Sequence, residues 1–311
     1  ITLQKRVNNQ RPWYVSKFIK IFNIILNKSD ENEKINNKMV RPNSSSISTS
    51  FFHFNGNQTG ISIPNFSISD KEEFTFVCRF QLDNNYNNTS ISKPTLLYFT
   101  TSDNKFKLFF EKSVLSIKHK SNPTKSKGKV TSDIEKVHYP FMPNLWYTMV
   151  LKGTSNDKLE LFINSSDKPV HSLPIKHCTL DTINSFTVAN SSIEKQKGLS
   201  CNVSVIYFFN KAMSTDKIKE IMSLPIKFCD LFTPSNQLLY PDLPRALFND
   251  DKFEKSLLFC YNANMYDGQV AVNLVRGNES IATVKGINVP YNSSFTGAIT
   301  SLGGITAFLP L

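Results

Sequence analysis

The side chains best equipped for chemistry are thinly spread along this chain. Five histidines stand singly at positions 53, 119, 138, 171 and 177. His177 lies beside Cys178, but neighbours on an extended strand point to opposite faces, which argues against a shared zinc ion. Glycoside hydrolysis with retention needs two carboxylates about 5 Å apart, and no strand carries the Glu, Asp and Glu at alternate positions from which β-jelly-roll enzymes usually supply them. Asp83, Asp103, Asp133, Asp157, Asp167 and Asp181 sit instead in turns or at segment ends. Neither a GxSxG elbow, an HExxH pair nor a GxxxxGK phosphate loop occurs. The expectation is a noncatalytic chain without a cofactor. Asp83–Asn88, DNNYNN, offers oxygen ligands for calcium yet lacks a spaced second carboxylate, so it reads as a loop insertion. Cysteines at 78, 178, 201, 229 and 260 form no CxxC and read as buried, reduced thiols. The AsnXxxSer/Thr triplets, at Asn57, Asn65, Asn164 and Asn202 among others, are what an Asn- and Ser-rich composition produces by chance.

Two features could instead bind. Lys105 to Lys129 holds eight Lys against Glu111 alone, within a chain whose net charge is +11. Lys118, Lys120, Lys125, Lys127 and Lys129 cluster around Pro123 and Gly128, a hairpin tip or long loop, and form a candidate patch for an acidic partner or anionic lipid. A solvated loop without a partner is the competing reading. Phe106, Phe109 and Phe110 look like core rather than an exposed stacking platform, which disfavours nucleic acid. The second feature is Trp146 followed by Tyr147: on a strand one of them faces outward as a candidate binding aromatic, while the other packs inside.

The elements that must hold these residues are mostly strands. Residues 1–50 are basic, and Val15, Phe18, Ile19, Phe22, Ile25 and Leu26 give Pro12–Leu26 an amphipathic helical spacing. That helix suits packing on a neighbouring domain or lying on an anionic membrane. From Phe51 the pattern turns to short alternating segments between turn-rich stretches, the mark of a β-sandwich or barrel. Phe74–Leu82 is the clearest, and Leu199–Phe209 the longest, with Leu199, Cys201, Val203, Val205, Tyr207 and Phe209 on one parity. A short helix over Ser214–Met222, capped by Ser214 or Thr215, would cover the end of the sandwich. A Pro-rich connection from Pro225 to Pro244 precedes a further strand at Ser256–Ala263, and 295–311 reads as a helix interrupted by Gly303 and Gly304. The expected core comprises Phe52, Phe54, Phe76, Phe80, Trp146, Val150, Leu161, Ile163, Val203, Val205 and Tyr207. The organisation is thus a helical segment and linker (1–50), a sandwich (51–230) and a connecting segment (231–311), in a fragment of a longer chain. Its longest apolar run, Phe18–Leu26, is broken by Lys20 and Asn23 and falls short of the ~20 residues of a membrane span.

Several segments together resemble the concanavalin-A-like lectin domain of BEACH-domain proteins of the neurobeachin type. These are FFHFNGNQTGISIP (Phe51–Pro64), SKGK (Ser126–Lys129), LWYTMV (Leu145–Val150), KLELFIN (Lys158–Asn164), VIYFFNKAMS (Val205–Ser214), LLFCYNA (Leu257–Ala263) and SLGGITAFLPL (Ser301–Leu311). The resemblance covers about residues 51–311; Cys78 departs from it, since relatives commonly place Trp there. It implies a mainly β, concanavalin-A-like jelly-roll sandwich with flanking α-helical segments at both ends, the last of them opening an armadillo-like region. It also implies a noncatalytic interaction module of a large cytoplasmic scaffold, peripheral to membranes, acting in vesicle traffic, lysosome-related organelles or autophagy. Its partners would be proteins, with an anionic membrane surface as a further contact and glycan a lesser one. The alternative is a carbohydrate-binding lectin-like or laminin-G-like domain of a secreted or surface protein.

Overall fold

The computed structural model describes residues 49–67, 73–84, 86, 93–101, 104–121, 132–155, 158–164, 167–174, 182–190, 198–226, 228–233, 236, 243–275 and 280–291. The helices expected at 12–26 and 295–311, and Lys125, Lys127, Lys129, His177 and Cys178, lie outside them. Alternating apolar and polar residues set the strands, as the pleat requires. In chain order these are β1 (Thr49–Asn55), β2 (Gly60–Ile63), β3 (Phe66–Ser67), β4 (Phe74–Leu82), β5 (Thr95–Thr100), β6 (Asn104–Glu111) and β7 (Val114–Ser121). There follow β8 (Ser132–Val137), β9 (Trp146–Thr154), β10 (Lys158–Ile163), β11 (His171–Pro174), β12 (Thr182–Ile183), β13 (Ser185–Val188) and β14 (Ser200–Phe209). The last five are β15 (Leu257–Asn262), β16 (Tyr266–Asp267), β17 (Val270–Val272), β18 (Ile281–Lys285) and β19 (Ile287–Tyr291).

All of these strands but β3 and β12, which pair with each other, build two antiparallel sheets. The first runs β11-β10-β9-β4-β14-β1-β19, with β15 also paired to β14, and the second β16-β17-β18-β2-β13-β5-β6-β7-β8. Both sheets therefore take strands from 257–291 as well as from 49–209, so the sandwich extends beyond the boundary read at residue 230. Between the sheets lies a core rich in phenylalanine, including Phe52, Phe54, Phe76, Phe80, Phe186 and Phe208. Phe74 and Phe208 stack at 5.7 Å, and Phe74 lies over Gly153, where any Cβ would meet its ring at 2.3 Å. His171 on β11 reaches Glu135 on β8 at 2.8 Å, tying an edge strand of one sheet to an edge strand of the other.

A second core covers part of the first sheet's outer face. Val77, Val150, Phe162, Val205, Tyr207 and Phe209 meet α1 (Thr215–Ser223), α2 (Arg245–Phe248), α3 (Asp251–Ser256) and the segment around Phe228 and Phe232. Ser214 caps α1 through its side chain, and Ile218, Ile221 and Met222 form its buried stripe. The helix covers a face rather than the end of the sandwich, because the outward side of the strands here is itself apolar. The single parity read for β14 also gives way. Its pairing with β4 shifts register between Val203 and Val205, so Cys201 and Val203 point inward while Val205, Tyr207 and Phe209 point outward. A bulge adds one residue and thereby exchanges the two faces.

Arg79, 1% exposed, locks the helical layer down. Its guanidinium donates to the carbonyls of Ile221 (2.8 Å), Pro225 (2.9 Å) and Phe228 (2.8 Å). The first belongs to the last turn of α1, whose unsatisfied carbonyls favour a cation. Burial lowers the Arg79 pKa. Tyr207 adds a bond from its hydroxyl to the carbonyl of Asp230 at 2.9 Å.

Candidate functional site: two outward faces

Beyond Arg79 the first sheet's outer face changes character. Trp146, Gln81, Asn202 and His53 lie in one register row across β9, β4, β14 and β1. Their inward neighbours Tyr147, Phe80, Leu82, Cys201, Phe52 and Phe54 fill the core. Trp146 is half-buried, not a core residue, and Tyr147 is the inward member of the pair, its hydroxyl held by the backbone N–H and carbonyl of Met142. Tyr147, 3% exposed, packs in the core and presents no aromatic face for binding.

Phe51, also outward, meets Trp146 edge-on at 5.8 Å and 71°. Their strands are three spacings apart, roughly 14 Å at the usual interval, so the two rings reach toward each other across β4 and β14. Beside them the amides form a directed chain. His53 Nδ1 lies 2.8 Å from Asn202 Oδ1, Asn202 Nδ2 donates to Gln81 Oε1 at 2.8 Å, and Gln81 Nε2 donates to the Asn144 carbonyl at 2.8 Å. Asn144 Nδ2 continues it to Asn84 Oδ1 at 2.9 Å. With Asn202 Oδ1 as acceptor, His53 must donate from Nδ1, which leaves Nε2 as the acceptor of the neutral ring. Each group has capacity left for a ligand hydroxyl.

The second sheet offers a different surface. Lys118 and Lys120 lie in β7, directly opposite Lys107 and Lys105 of β6. They sit within a strand rather than in a loop tip, and their partners are the lysines of the neighbouring strand. Lys93 and Lys107 stand over the Phe109 ring, at 5.1 and 5.4 Å from its centroid. Phe109 is fully buried, as expected of a core residue, but it faces outward under these lysines, whereas Phe106 and Phe110 point inward. Burial first, then Lys118 and Lys93, push the Lys107 pKa down to about 8.

Other candidates are weaker. Among the described residues no cluster of His, Cys, Asp and Glu could hold a metal ion, and no helix is long and apolar enough to cross a membrane. Asp83 spends its carboxylate on Ser200 Oγ and the Asn84 N–H. Cys78, Cys201, Cys229 and Cys260 are free and buried, and burial pushes the Cys229 thiol up to about 12. A cavity of about 810 Å³ beside α3 carries Asp251, Glu254 and Lys255 at its wall.

Sequence reasoning singles out Trp146 by its strand position and Lys118 and Lys120 by their charge. It missed Phe51, His53, Gln81, Asn202, Lys93 and Lys107 as site residues. Their roles arise from cross-strand register, which local sequence does not encode.

No protein-family model matches the sequence, and no curated protein matches it. Among solved structures, a candidate carbohydrate-binding protein from Bacteroides ovatus superposes with a TM-score of 0.50 at 12% identity. The match spans 79% of this chain and 61% of that one, less than two thirds of its length. Domains LG4-5 of the mouse laminin α1 chain give 0.39 at 10% identity over 57% of this chain and 46% of that one. The binding domain of botulinum neurotoxin DC, in complex with SialylT, gives 0.37 at 12% identity over 52% and 38%. Scores below 0.5 do not establish a shared fold, and at 12% identity the Bacteroides protein speaks for architecture alone. In that architecture the chain is a mainly β, two-sheet, concanavalin-A-like sandwich.

Proposed function

We propose that this sandwich is a noncatalytic recognition module that binds carbohydrate on the open part of its first sheet. The observation that carries the reading is the row Trp146, Gln81, Asn202 and His53 with Phe51 beside it. An aromatic face takes the C–H surface of a sugar ring, while oriented amides and an imidazole exchange hydrogen bonds with its hydroxyls. Half-buried groups already fixed by one another lose little freedom on binding. The carbohydrate-binding description of the Bacteroides protein supports the same reading by analogy of fold, a weaker warrant than the residues themselves.

A cytoplasmic, membrane-peripheral scaffold of the BEACH type, with protein partners, is the other reading the sequence raises. It rests on Leu257–Ala263 and Ser301–Leu311. The first of these is largely the sandwich strand β15, and the second lies outside the described residues, so the open face favours the carbohydrate reading.

A glycan array probed with the full chain tests the proposal. Binding to neutral oligosaccharides is expected, reduced at least ~10-fold by Trp146→Ala, as for loss of a central aromatic anchor, with the thermal midpoint little changed. An array without signal, with and without calcium, overturns it. So does undiminished binding by the variant.

A further inference from the structure

We propose that the open face of the first sheet takes an N-acetylhexosamine unit, whose acetamido N–H donates to His53 Nε2 while its methyl group rests on Ile287. This names a sugar class for the site described above and rests on the carbohydrate reading of it.

The polarity of the amide chain is fixed at its far end. The Asn144 carbonyl is a backbone acceptor, so Gln81 must donate to it from Nε2. Gln81 therefore presents Oε1 to Asn202, which donates from Nδ2 and turns Oδ1 toward His53. The imidazole must then donate from Nδ1. Through this run of hydrogen bonds a backbone carbonyl on one side of the face sets the tautomer of a histidine on the other. His53 Nε2 is left as an acceptor without a hydrogen-bond partner among the described residues, and the ligand group that completes it is a donor.

What stands beside that acceptor decides which donor fits. Ile287 on β19 lies directly opposite His53 in register, and the Cβ atoms of such a pair are about 5 Å apart. Ile287 is 63% exposed, more than any other large apolar side chain among the described residues. One exposed isoleucine is ordinary in itself; this one extends a row of binding groups, with half-buried Val289 beside Phe51 on the same side. A sugar hydroxyl would satisfy Nε2 and leave Ile287 in water. An acetamido group serves both, because its N–H and its methyl flank a single carbonyl carbon. A sugar carboxylate fits poorly, since the row Trp146, Gln81, Asn202, His53 and Ile287 holds no cation to pair with it. The row spans four strand spacings, ~19 Å, so Trp146 and Ile287 would touch different units of one oligosaccharide.

An array of matched pairs probed with the full chain tests this, with chitotetraose against cellotetraose and N-acetyllactosamine against lactose. Each pair differs only in acetamido or hydroxyl at C2. The acetylated member should bind at least ~5-fold more tightly, and Ile287→Thr should lower that preference ~3- to 5-fold, about the share of one buried methyl group. Ile281→Thr, at a comparably exposed isoleucine on the second sheet, should leave the preference unchanged. In saturation-transfer NMR the acetyl methyl should receive the strongest transfer from the parent chain and lose it with Ile287→Thr. Equal binding of both members, binding confined to glycans without an acetamido group, a preference that Ile287→Thr does not move, or weak transfer to the acetyl methyl would overturn the proposal and leave the carbohydrate reading standing. Silence across the whole array would remove that reading, and this proposal with it.

Discussion

Within the first sheet the same strands carry two kinds of outward surface. On β4 the outward positions read Val77, Arg79, Gln81; on β9 they read Val150, Thr148, Trp146; on β14, Phe209, Tyr207 and Val205 give way past Ser204 to Asn202 and Ser200. One end is sealed under α1, α2 and α3, with rings such as Phe209 and Phe253 stacked at 5.0 Å. The other end keeps aromatic and amide groups half-open. Burial of apolar area, at about 25 cal/mol per Å², stabilises the first part. The second part contributes few such contacts and retains its hydrogen-bonding capacity for a ligand. Arg79 and the bulge at Ser204 mark the border.

The largest break in this contrast should come at that border. Arg79→Ala removes three hydrogen bonds from a sealed layer, although the Ile221 and Pro225 carbonyls still accept the backbone N–H groups of Leu224 and Phe228. A hydrogen bond from a charged donor contributes about 1.5–3 kcal/mol, offset in part by the cost of burying the guanidinium, so a loss of about 3 kcal/mol is expected. Urea unfolding should show that loss, with the helical layer exchanging amide hydrogens first. A variant within ~1 kcal/mol of the parent would mean that the layer holds by apolar packing alone.

How far this border was legible in the sequence depends on the strand. Phe74–Leu82 has the observed limits, because an apolar residue recurs at every second position along it and polar residues flank both ends. Val150, Val205 and Tyr207 were rightly read as buried, but they serve the second core. Alternation tells which residues share a side, not which side faces the other sheet, and the bulge at Ser204 reverses parity with no local composition signal. Trp146 illustrates the same limit: a large apolar ring with a polar tip suits core and binding face alike. On the second sheet the charge run pointed to Lys118 and Lys120 but not to Lys107 or Lys93. The cluster exists only once β5, β6 and β7 are in register.

A smaller effect of opposite sign is expected from Lys107→Met. The folded-state pKa near 8 lies below the ordinary 10.5, so below pH 8 folding must hold a charged, crowded ammonium. From pH 8 to 10.5 the unfolded chain binds more protons than the folded one, and the parent gains stability as pH rises. Lys107→Met should therefore be more stable at pH 7, by about 1–2 kcal/mol after discounting for solvent screening of a half-exposed group. The gap should close toward pH 10.5. Chemical denaturation at pH 7 and 9.5 measures it. A destabilised variant with no change across that interval would show that Lys107 stabilises the sheet rather than straining it.

The smallest stability effect belongs two residues from the largest. Gln81→Leu removes the middle link of the amide chain, leaving Asn202 Nδ2 and the Asn144 carbonyl without their partner. Both lie at a half-open surface where water can replace the lost bonds, so the cost should stay below ~1 kcal/mol. Binding should suffer more than stability, because the freed Asn202 side chain can rotate and His53 loses its fixed acceptor. If Gln81→Leu destabilised the fold as much as Arg79→Ala, the open end would be as structural as the sealed one, and its amides would have no claim to a ligand. If it left both stability and glycan binding intact, the chain from His53 to Asn84 would be ordinary surface pairing, and the aromatic pair alone would have to account for recognition.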